Sequence, residues 1–343
     1  MADAKRAVLL LAHGTPDEPA DIPKYLSNVV SGRPMPQSVV EEITHRYGLI
    51  GKSPLTALTF EQARLLSEAI HMPVYVGMRN WKPYIADTVR AMKADGVTEV
   101  AAICLAPQNS RTSVGLYRRA VFAEAGDSMR IDFIEGWADH PMLAEAFAER
   151  LRTTLETLPD AGTEVLFTAH SVPCRTIQTG TQASATPPSD PSVWAPPAVN
   201  AVGPDPYAVE CKRTAALVAE RIPKLAGGRW SFAFQSQGMS GGPWIGPTVE
   251  DTLKALRESG TQTVVLHTIG FLCDHVEILY DIDIAFKAYA AELGMALTRP
   301  ASLNASPLLT AALSELAAAG FRRLDAEAND ANASIAPKET VPQ

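Results

Sequence analysis

The sequence lacks a long apolar run near its start. Residues 7–12 form the longest early one, which is too short for a signal-peptide core or a membrane span. The sequence also lacks runs of lysine or arginine, and its formal net charge is -8. A nucleic-acid partner or a polybasic membrane contact would need a basic surface. These absences predict a cytoplasmic protein without a transmembrane segment that acts on a small molecule.

Cysteine is scarce, with four residues among 343 and no Cys-x-x-Cys pair. This distribution disfavours a zinc ribbon, and it indicates free thiols rather than a disulfide framework. A Gly-x-x-x-x-Gly-Lys-Ser/Thr loop is absent, and the segment after the first apolar run lacks the glycines of a dinucleotide site. Nucleotide chemistry is therefore disfavoured.

Short apolar or β-branched runs alternate with helix-length amphipathic segments along the chain. The predicted strands are residues 7–12, 74–76, 99–105, 164–168, 231–234 and 263–269. This alternation predicts an α/β protein with parallel, doubly wound sheets that helices cover on both faces. Because 343 residues suffice for two buried cores, we expect an N-terminal domain over 1–160 and a C-terminal domain over 161–323. The last helix would be able to pack back on the first domain.

Two segments lack the periodicity of helices and strands. Residues 176–206 are rich in Pro, Ser, Thr, Gly and Ala, which predicts a loop excursion, either a surface insertion or a lid over a cleft. Residues 324–343 are rich in Ala, Asn, Asp and Glu, which predicts a disordered tail.

A short internal similarity links the two halves. Ala12-His13-Gly14-Thr15-Pro16 ends the first predicted strand, and Ala169-His170-Ser171-Val172-Pro173 ends the strand that opens the second half. So short a pattern arises by duplication or by chance, and the sequence leaves both open. In either case each half would place a histidine at the carboxyl end of a strand, where open α/β sheets bind ligands.

An acidic segment follows the last predicted strand. Asp274, Glu277 and Asp281 lie at i, i+3 and i+7, so helical spacing would place three carboxylates on one face. Such a face suits either a cation site or a solvated first turn that complements the helix dipole, and periodicity alone leaves both open. The presence of His170 favours a reactive or metal-binding site over a solvated turn, because a histidine beside carboxylates can accept protons or hold a divalent metal. The absence of His-x-x-x-His spacing around them favours an open metal site over a closed structural one.

Several longer segments identify a family. They are Phe234-Gln235-Ser236, Pro243-Trp244-Ile245-Gly246-Pro247, Ile269-Gly270-Phe271, Asp274-His275-Val276-Glu277 and Leu279-Tyr280-Asp281. With the two histidine-containing segments above, they resemble ferrochelatases from residue 9 to residue 306. The resemblance implies two Rossmann-like domains with parallel, four-stranded-type sheets and a porphyrin cleft between them.

The resemblance also implies an activity, the insertion of Fe²⁺ as substrate into a porphyrin in haem biosynthesis while two pyrrole protons leave. By resemblance, His170 and Glu277 are the catalytic pair and candidate metal ligands on one face of the macrocycle, and His275 is structural. Close cleft walls would distort the stiff ring, so that its nitrogen lone pairs point at the metal.

A proton or metal path along the acidic segment is a further implication. Asp281 and Asp274 are the candidate residues for it. Ala285 stands where the family usually has another acid, so the path is either shorter here or passes through Asp283 or Asp274.

His13 occupies the position of a tyrosine that approaches the iron in the coproporphyrin-using branch, which implies an axial metal ligand. Propionates need basic or hydrogen-bonding partners, and a tryptophan beside glycines suits a flat ligand. The candidate porphyrin-binding residues are His13, Arg33, Arg46, Ser53, Tyr117 and Trp244. The resemblance favours coproporphyrin III, with protoporphyrin IX as the next alternative, although Val30-Ser31 replaces arginines that are usual in that branch.

Some ferrochelatases carry a [2Fe–2S] cluster on cysteines near the C-terminus. No cysteine follows Cys273, so we expect no cluster. The expected partners are a porphyrin and ferrous iron, with transient contacts to other enzymes of haem biosynthesis. Two other functions stay open, a chelatase for another tetrapyrrole and a non-catalytic haem or porphyrin carrier. The presence of both His170 and Glu277 disfavours the carrier, because binding alone does not need that pair.

Overall fold

The computed structural model describes residues 4–177, 205–225, 227–238 and 243–335, and within them two parallel four-stranded sheets. The first contains β1 (Arg6–Ala12), β2 (Val74–Met78), β3 (Glu99–Cys104) and β4 (Arg130–Ile134), in the order β2-β1-β3-β4. The second contains β5 (Thr163–His170), β6 (Ser231–Gln235), β7 (Thr263–Thr268) and β8 (Ala296–Thr298), in the order β6-β5-β7-β8. The predicted α/β class with parallel sheets is confirmed.

The sequence prediction misses β4 and β8, which are edge strands with one neighbour each. In β4 the apolar pattern is interrupted by Arg130, which pairs with Glu99 at 2.6 Å, and by Asp132, which pairs with Arg323 at 2.7 Å. Strand β8 has only three residues, too few for a period to show. Both strands form because a neighbouring strand offers its backbone, a partner that local sequence does not reveal.

Helices connect the strands and cover both sheet faces. In chain order they are α1 (Ile22–Val29), α2 (Gln37–Ile50), α3 (Leu55–Ile70), α4 (Ile85–Ala94), α5 (Val114–Ala125), α6 (Pro141–Leu155), α7 (Cys174–Ile177), α8 (Tyr207–Glu220), α9 (Val249–Glu258), α10 (Val276–Leu279), α11 (Lys287–Glu292) and α12 (Pro307–Ile335). A π-helical segment, Asp281–Phe286, separates α10 from α11. Such segments are frequent at functional sites.

One apolar core is continuous between the two sheets. It includes Leu10 of β1, Ile103 of β3, Phe147 of α6, Phe167 of β5 and Leu313 of α12, all at most 1% exposed. Separate cores cover the opposite face of each sheet. We retain the boundary between residues 160 and 161 as a proposal, because the strands of one sheet precede it and those of the other follow it.

The C-terminal helix corrects one expectation. Helix α12 continues to Ile335, so the expected disordered tail is wrong for residues 324–335. The helix packs across β3 and β4, and Arg6 of β1 forms an ion pair with Asp325. Its alanines favour helix in any case. The composition alone does not reveal that these residues are helical, because the sheet on which the helix packs lies far away in sequence.

Residues 178–204, most of the predicted excursion over 176–206, lie outside the described residues, as do residues 336–343. In the part of the chain that the structure describes, no helix is both long enough and apolar enough to cross a membrane.

The two sheets repeat one topology, in which the second strand of each half lies on one side of the first and the third strand lies on the other. This repetition favours duplication over chance as the source of the internal similarity. The direction of the connections reverses beside β1 and β5, and open α/β sheets bind ligands at such points. His13 directly follows β1, and His170 is the last residue of β5. The fold therefore places both histidines at equivalent switch points.

Candidate active site

A cavity of about 340 Å³ lies where the carboxyl ends of the two sheets meet. Its wall includes His13 after β1, Leu105 after β3, His170 at the end of β5 and Gly270 after β7. Since both halves contribute, the cavity exists only when the whole chain is folded.

The histidine and the carboxylate singled out from the sequence meet in this cavity. His170 Nε2 lies 3.2 Å from Glu277 Oε1, and His170 Nδ1 contacts the carbonyl oxygen of Ser171. The other carboxylate oxygen, Oε2, lies 3.3 Å from His275 Nε2, while His275 Nδ1 lies 2.9 Å from the carbonyl oxygen of Cys273. The Glu277 carboxylate thus stands between two imidazoles that both line the cavity.

The pair is electrostatically coupled. Burial lowers the pKa of His170, but the charge and hydrogen bond of Glu277 outweigh this effect and raise the pKa to about 9. Burial raises the pKa of Glu277, but His170 and His275 hold that pKa well below its ordinary value. The side chains are 30% and 34% exposed, and this open part faces the cavity. In the absence of ligands, a protonated His170 and an ionised Glu277 form an ion pair at neutral pH.

Close packing and one buried amide fix the backbone around the pair. Gln235 Nε2 donates to the carbonyl oxygen of Glu277 at 3.2 Å, and Gln235 Oε1 accepts from Thr168 Oγ1 at 2.6 Å. Next to His170, a Cβ atom at Gly270 would lie 2.8 Å from Ala169 Cβ. Only glycine permits this approach of the segment after β7 to the end of β5. Gln235 at the end of β6 and Gly270 after β7 therefore fix the positions of Glu277 and His170.

Aromatic rings flank His170. The ring centroids of Trp244 and Phe271 lie 6.5 Å and 6.3 Å from that of His170, and Phe271 also lies 4.5 Å from His275. All of these residues line the cavity. The surroundings of the polar pair are thus suited to a flat, largely apolar ligand.

Asp281, on the π-helical segment, lies outside the cavity wall and links the two halves. Its Oδ1 lies 3.3 Å from Arg46 Nη1 of α2, and its Oδ2 accepts a hydrogen bond from Ser236 Oγ. Arg46 also stacks over the Tyr280 ring, 4.8 Å from its centroid. Burial raises the pKa of Asp281 to about 6, despite the opposing hydrogen bond from Ser236. Asp281 can therefore exchange a proton near neutrality, next to the pair in sequence and in space.

The predicted common face of three carboxylates is wrong for Asp274. Helix α10 begins only at Val276, so Asp274 precedes it and points elsewhere. Its Oδ1 lies 3.1 Å from Arg299 Nη2, and the same guanidinium binds Asp283 at 2.8 Å. Because Arg299 neutralises both acids away from the cavity wall, the alternative path through Asp283 or Asp274 has no support in the contacts.

His13 lies on the cavity wall contributed by the first half. Its Nε2 is 2.9 Å from Asn80 Nδ2, and its Nδ1 is 3.2 Å from the carbonyl oxygen of Gly14 and 3.3 Å from Tyr25 Oη. These partners imply a proton on Nδ1 and an acceptor lone pair on Nε2. Burial lowers the pKa of His13 and outweighs the opposing charge of Glu277. The imidazole is accordingly neutral, the form that binds metals.

The remaining porphyrin-binding candidates divide into two groups. Tyr117 and Trp244 line the cavity, as does His13. Arg33 is exposed and its Nε donates to the carbonyl of Val30, while Arg46 is engaged by Asp281. The hydroxyl of Ser53 is buried without a hydrogen-bond partner among the described residues, and Ser53 is not part of the cavity wall. The structure therefore does not bring Arg33, Arg46 or Ser53 to this cavity.

Sequence reasoning missed three residues of the site, Arg79, Asn80 and Gln235. Arg79 lines the cavity, Asn80 contacts His13, and Gln235 holds the backbone of Glu277. Each stands at the carboxyl end of a strand or within two residues after it, β2 for the first two and β6 for the third. That position was the available signal, because chemistry collects at this edge of parallel sheets.

The donor set suits a metal in transit. Among the described residues, no three His, Cys, Asp or Glu side chains converge as a metal site. His170 and Glu277 offer at most a partial ligand set, which matches a metal that must be passed to another ligand. The four cysteines are free and buried, and they lie on separate parts of the fold.

Comparison with known proteins places these residues in context. The family model for Ferrochelatase matches residues 5–320. A protein named Ferrochelatase from Acidobacterium capsulatum is 62% identical over 327 residues, which cover 94% of this chain and 97% of that protein. A Coproporphyrin III ferrochelatase from Geobacillus kaustophilus is 32% identical over 331 residues, which cover 92% and 96%. The solved structure of SirB from Bacillus subtilis with Fe³⁺ aligns with a TM-score of 0.53 at 13% identity, covering 92% of this chain and 96% of that one, and shows a shared fold.

Proposed function

This chain belongs to the ferrochelatase family, a family of porphyrin metal chelatases with Fe²⁺ as substrate, and we propose that it inserts the iron into coproporphyrin III through His170 and Glu277. The observation that carries this assignment is the 3.2 Å contact between His170 Nε2 and Glu277 Oε1 in a cavity to which both halves contribute. Porphyrin metalation needs a group that takes protons and a group that handles a cation, and this pair provides both.

The raised pKa of His170 bears on the order of events. With a pKa of about 9, His170 carries a proton at neutral pH before substrate binds. An Fe²⁺ ion arriving at Glu277 would oppose the imidazolium charge and favour loss of that proton. His170 would then be free to accept a pyrrole proton, and we propose that Asp281, with a pKa of about 6, passes protons onward.

The choice of coproporphyrin III is supported by two features. Tyr117 and His13, both candidate partners for this porphyrin, line the cavity. The chain also covers nearly the whole length of a relative named for coproporphyrin III. We further propose that His13 is an axial ligand to the metal in the product, in which case Nε2 must release the amide of Asn80.

Anaerobic Fe²⁺ insertion with coproporphyrin III and protoporphyrin IX offered separately tests the proposal. We expect a higher kcat/KM with coproporphyrin III, and a loss of about 10²- to 10⁴-fold in kcat for His170→Ala. His45→Ala, an exposed histidine of α2 outside the cavity wall, is the matched control. Faster turnover of protoporphyrin IX would contradict the substrate assignment, and insertion into neither porphyrin would favour a carrier or a chelatase for another tetrapyrrole. Cytoplasmic location and transient contacts with other enzymes of haem biosynthesis stay predictions.

A further inference from the structure

One basic residue in the cavity wall, Arg79, has no acidic partner among the described residues. Arg79 directly follows β2, is half-buried and lines the cavity. Its Nη1 donates to the carbonyl oxygen of Thr112 at 3.1 Å, and its guanidinium makes no other hydrogen bond and no ion pair within the described ranges. Burial lowers the pKa of Arg79, although a guanidinium remains charged at any physiological pH. By contrast, Arg299, which is also half-buried, binds two carboxylates.

A tyrosine hydroxyl on the cavity wall lies beside this cation. Tyr117 of α5 is 3% exposed and lines the same cavity, and its phenol oxygen has no hydrogen-bond partner among the residues that the structure describes. Its backbone N–H donates to Ser113, which follows the Thr112 that Arg79 holds. Arg79 and Tyr117 are close enough for the charge of one to affect the pKa of the other. A guanidinium and a phenol with unused donors therefore face one part of the cavity.

An uncompensated, partly buried cation costs stability unless a ligand pairs with it, and the phenol beside it has an unused donor for the same ligand. A carboxylate would satisfy both, because it accepts several charge-assisted hydrogen bonds at once. We propose that Arg79 and Tyr117 together bind one carboxylate of the porphyrin substrate. This inference rests on the proposed function. Tyr117 is already a candidate porphyrin-binding residue, and the new element is Arg79 as the cation that shares its carboxylate.

A carboxylate site at Arg79 would help to distinguish coproporphyrin III from protoporphyrin IX. Coproporphyrin III carries a carboxylate on every pyrrole, so the one orientation that the rest of the cavity selects presents a carboxylate to Arg79. Protoporphyrin IX carries carboxylates on only two pyrroles, and an orientation that turned a vinyl group toward Arg79 would leave the cation buried and unpaired. Sites built to bind a polar group reject analogues that lack it for this reason.

The test measures the Kd of metal-free porphyrins by fluorescence quenching, without iron. The ligands are coproporphyrin III and its four mono-amides, each with one propionate amidated. For wild-type protein we expect one mono-amide to bind about 10- to 100-fold more weakly. Arg79→Met should weaken coproporphyrin III by a similar factor and should no longer distinguish that mono-amide from it. Arg79→Lys should restore part of the affinity, and Tyr117→Phe should show a smaller effect on the same mono-amide.

Arg119→Met, which removes an exposed charge from α5, is the control for long-range electrostatics and should leave every Kd unchanged. Circular dichroism confirms that each variant is folded. The proposal is overturned if Arg79→Met leaves all five Kd values unchanged, or if it weakens all five equally. Because binding is measured without iron, this failure is distinct from a failure to insert iron, which would overturn the proposed function instead.

Discussion

Replacing Glu277 by Gln should shift the protonation of His170 strongly. The substitution keeps the side chain's shape but removes the charge whose oxygen lies 3.2 Å from His170 Nε2. The pKa of His170 is about 9 against an ordinary 6.5, a difference that corresponds to about 3 kcal/mol in favour of the imidazolium. Burial by itself lowers this pKa, so in Glu277→Gln the histidine should titrate below 6.5. At pH 7.5 the histidine would then change from mainly charged to mainly neutral.

The same shift predicts how stability depends on pH. The pKa of His170 is higher in the folded than in the unfolded state, so its contribution is fully present below about pH 6.5 and is lost as the pH rises through about 9. Between these pH values, the free energy of unfolding should fall by about 3 kcal/mol more in the wild type than in Glu277→Gln. Comparing the two proteins cancels other groups, including Asp281, whose pKa of about 6 lies below this range.

NMR of the imidazole C–H resonances from pH 5 to 10 measures the first effect, with His170→Ala to assign the signal. Urea unfolding at pH 6.5 and 9 measures the second. A wild-type midpoint at or below 6.5 would refute the electrostatic argument, and so would an identical midpoint in Glu277→Gln. Equal pH dependence of unfolding in the two proteins would show that the pair does not couple to folding.

Three further predictions concern the backbone around Glu277, the C-terminal helix and the cysteines. Gln235→Leu leaves the carbonyl of Glu277 without its donor, so kcat for iron insertion should fall by about tenfold or more while the fold is retained. Stopped assays measure kcat and circular dichroism measures the fold. An unchanged kcat would argue against a positioning role for Gln235. Arg323→Ala removes the ion pair between α12 and Asp132 of β4, and it should lower the free energy of urea unfolding by about 1 kcal/mol. Arg322→Ala, at the neighbouring exposed arginine, should leave it unchanged. Equal effects would show that the Arg323–Asp132 pair does not stabilise the packing of α12. The purified protein should lack the visible absorption of an iron–sulfur cluster, and such a band would refute the prediction drawn from the cysteine positions.

Much of the fold could be predicted from local pattern. Strand β1 is buried almost throughout, so its apolar run identifies it directly. The alternation of strands and helices then implies parallel sheets, because crossover helices connect parallel neighbours. Strand β4 could not be predicted in this way, since its charged residues are explained only by Glu99 and Arg323, which lie far away in sequence. The end of helix α12 could not be predicted for the same reason, because the strands on which the helix packs lie far away in sequence.

The residue types of the site follow from local sequence, which has a histidine at one strand end and an acidic segment after another strand, and the resemblance pairs His170 with Glu277. Which carboxylates take part depends on contacts between distant segments. In the structure Asp274 binds Arg299 and Asp281 binds Arg46, while Arg79 faces the cavity with no acid beside it in the part of the chain that is described. The physical reason is that the orientation and charge of a carboxylate depend on the groups that neutralise it. Arg299 lies more than twenty residues from Asp274, and Arg46 and His170 lie still further from Asp281 and Glu277, beyond the reach of local spacing.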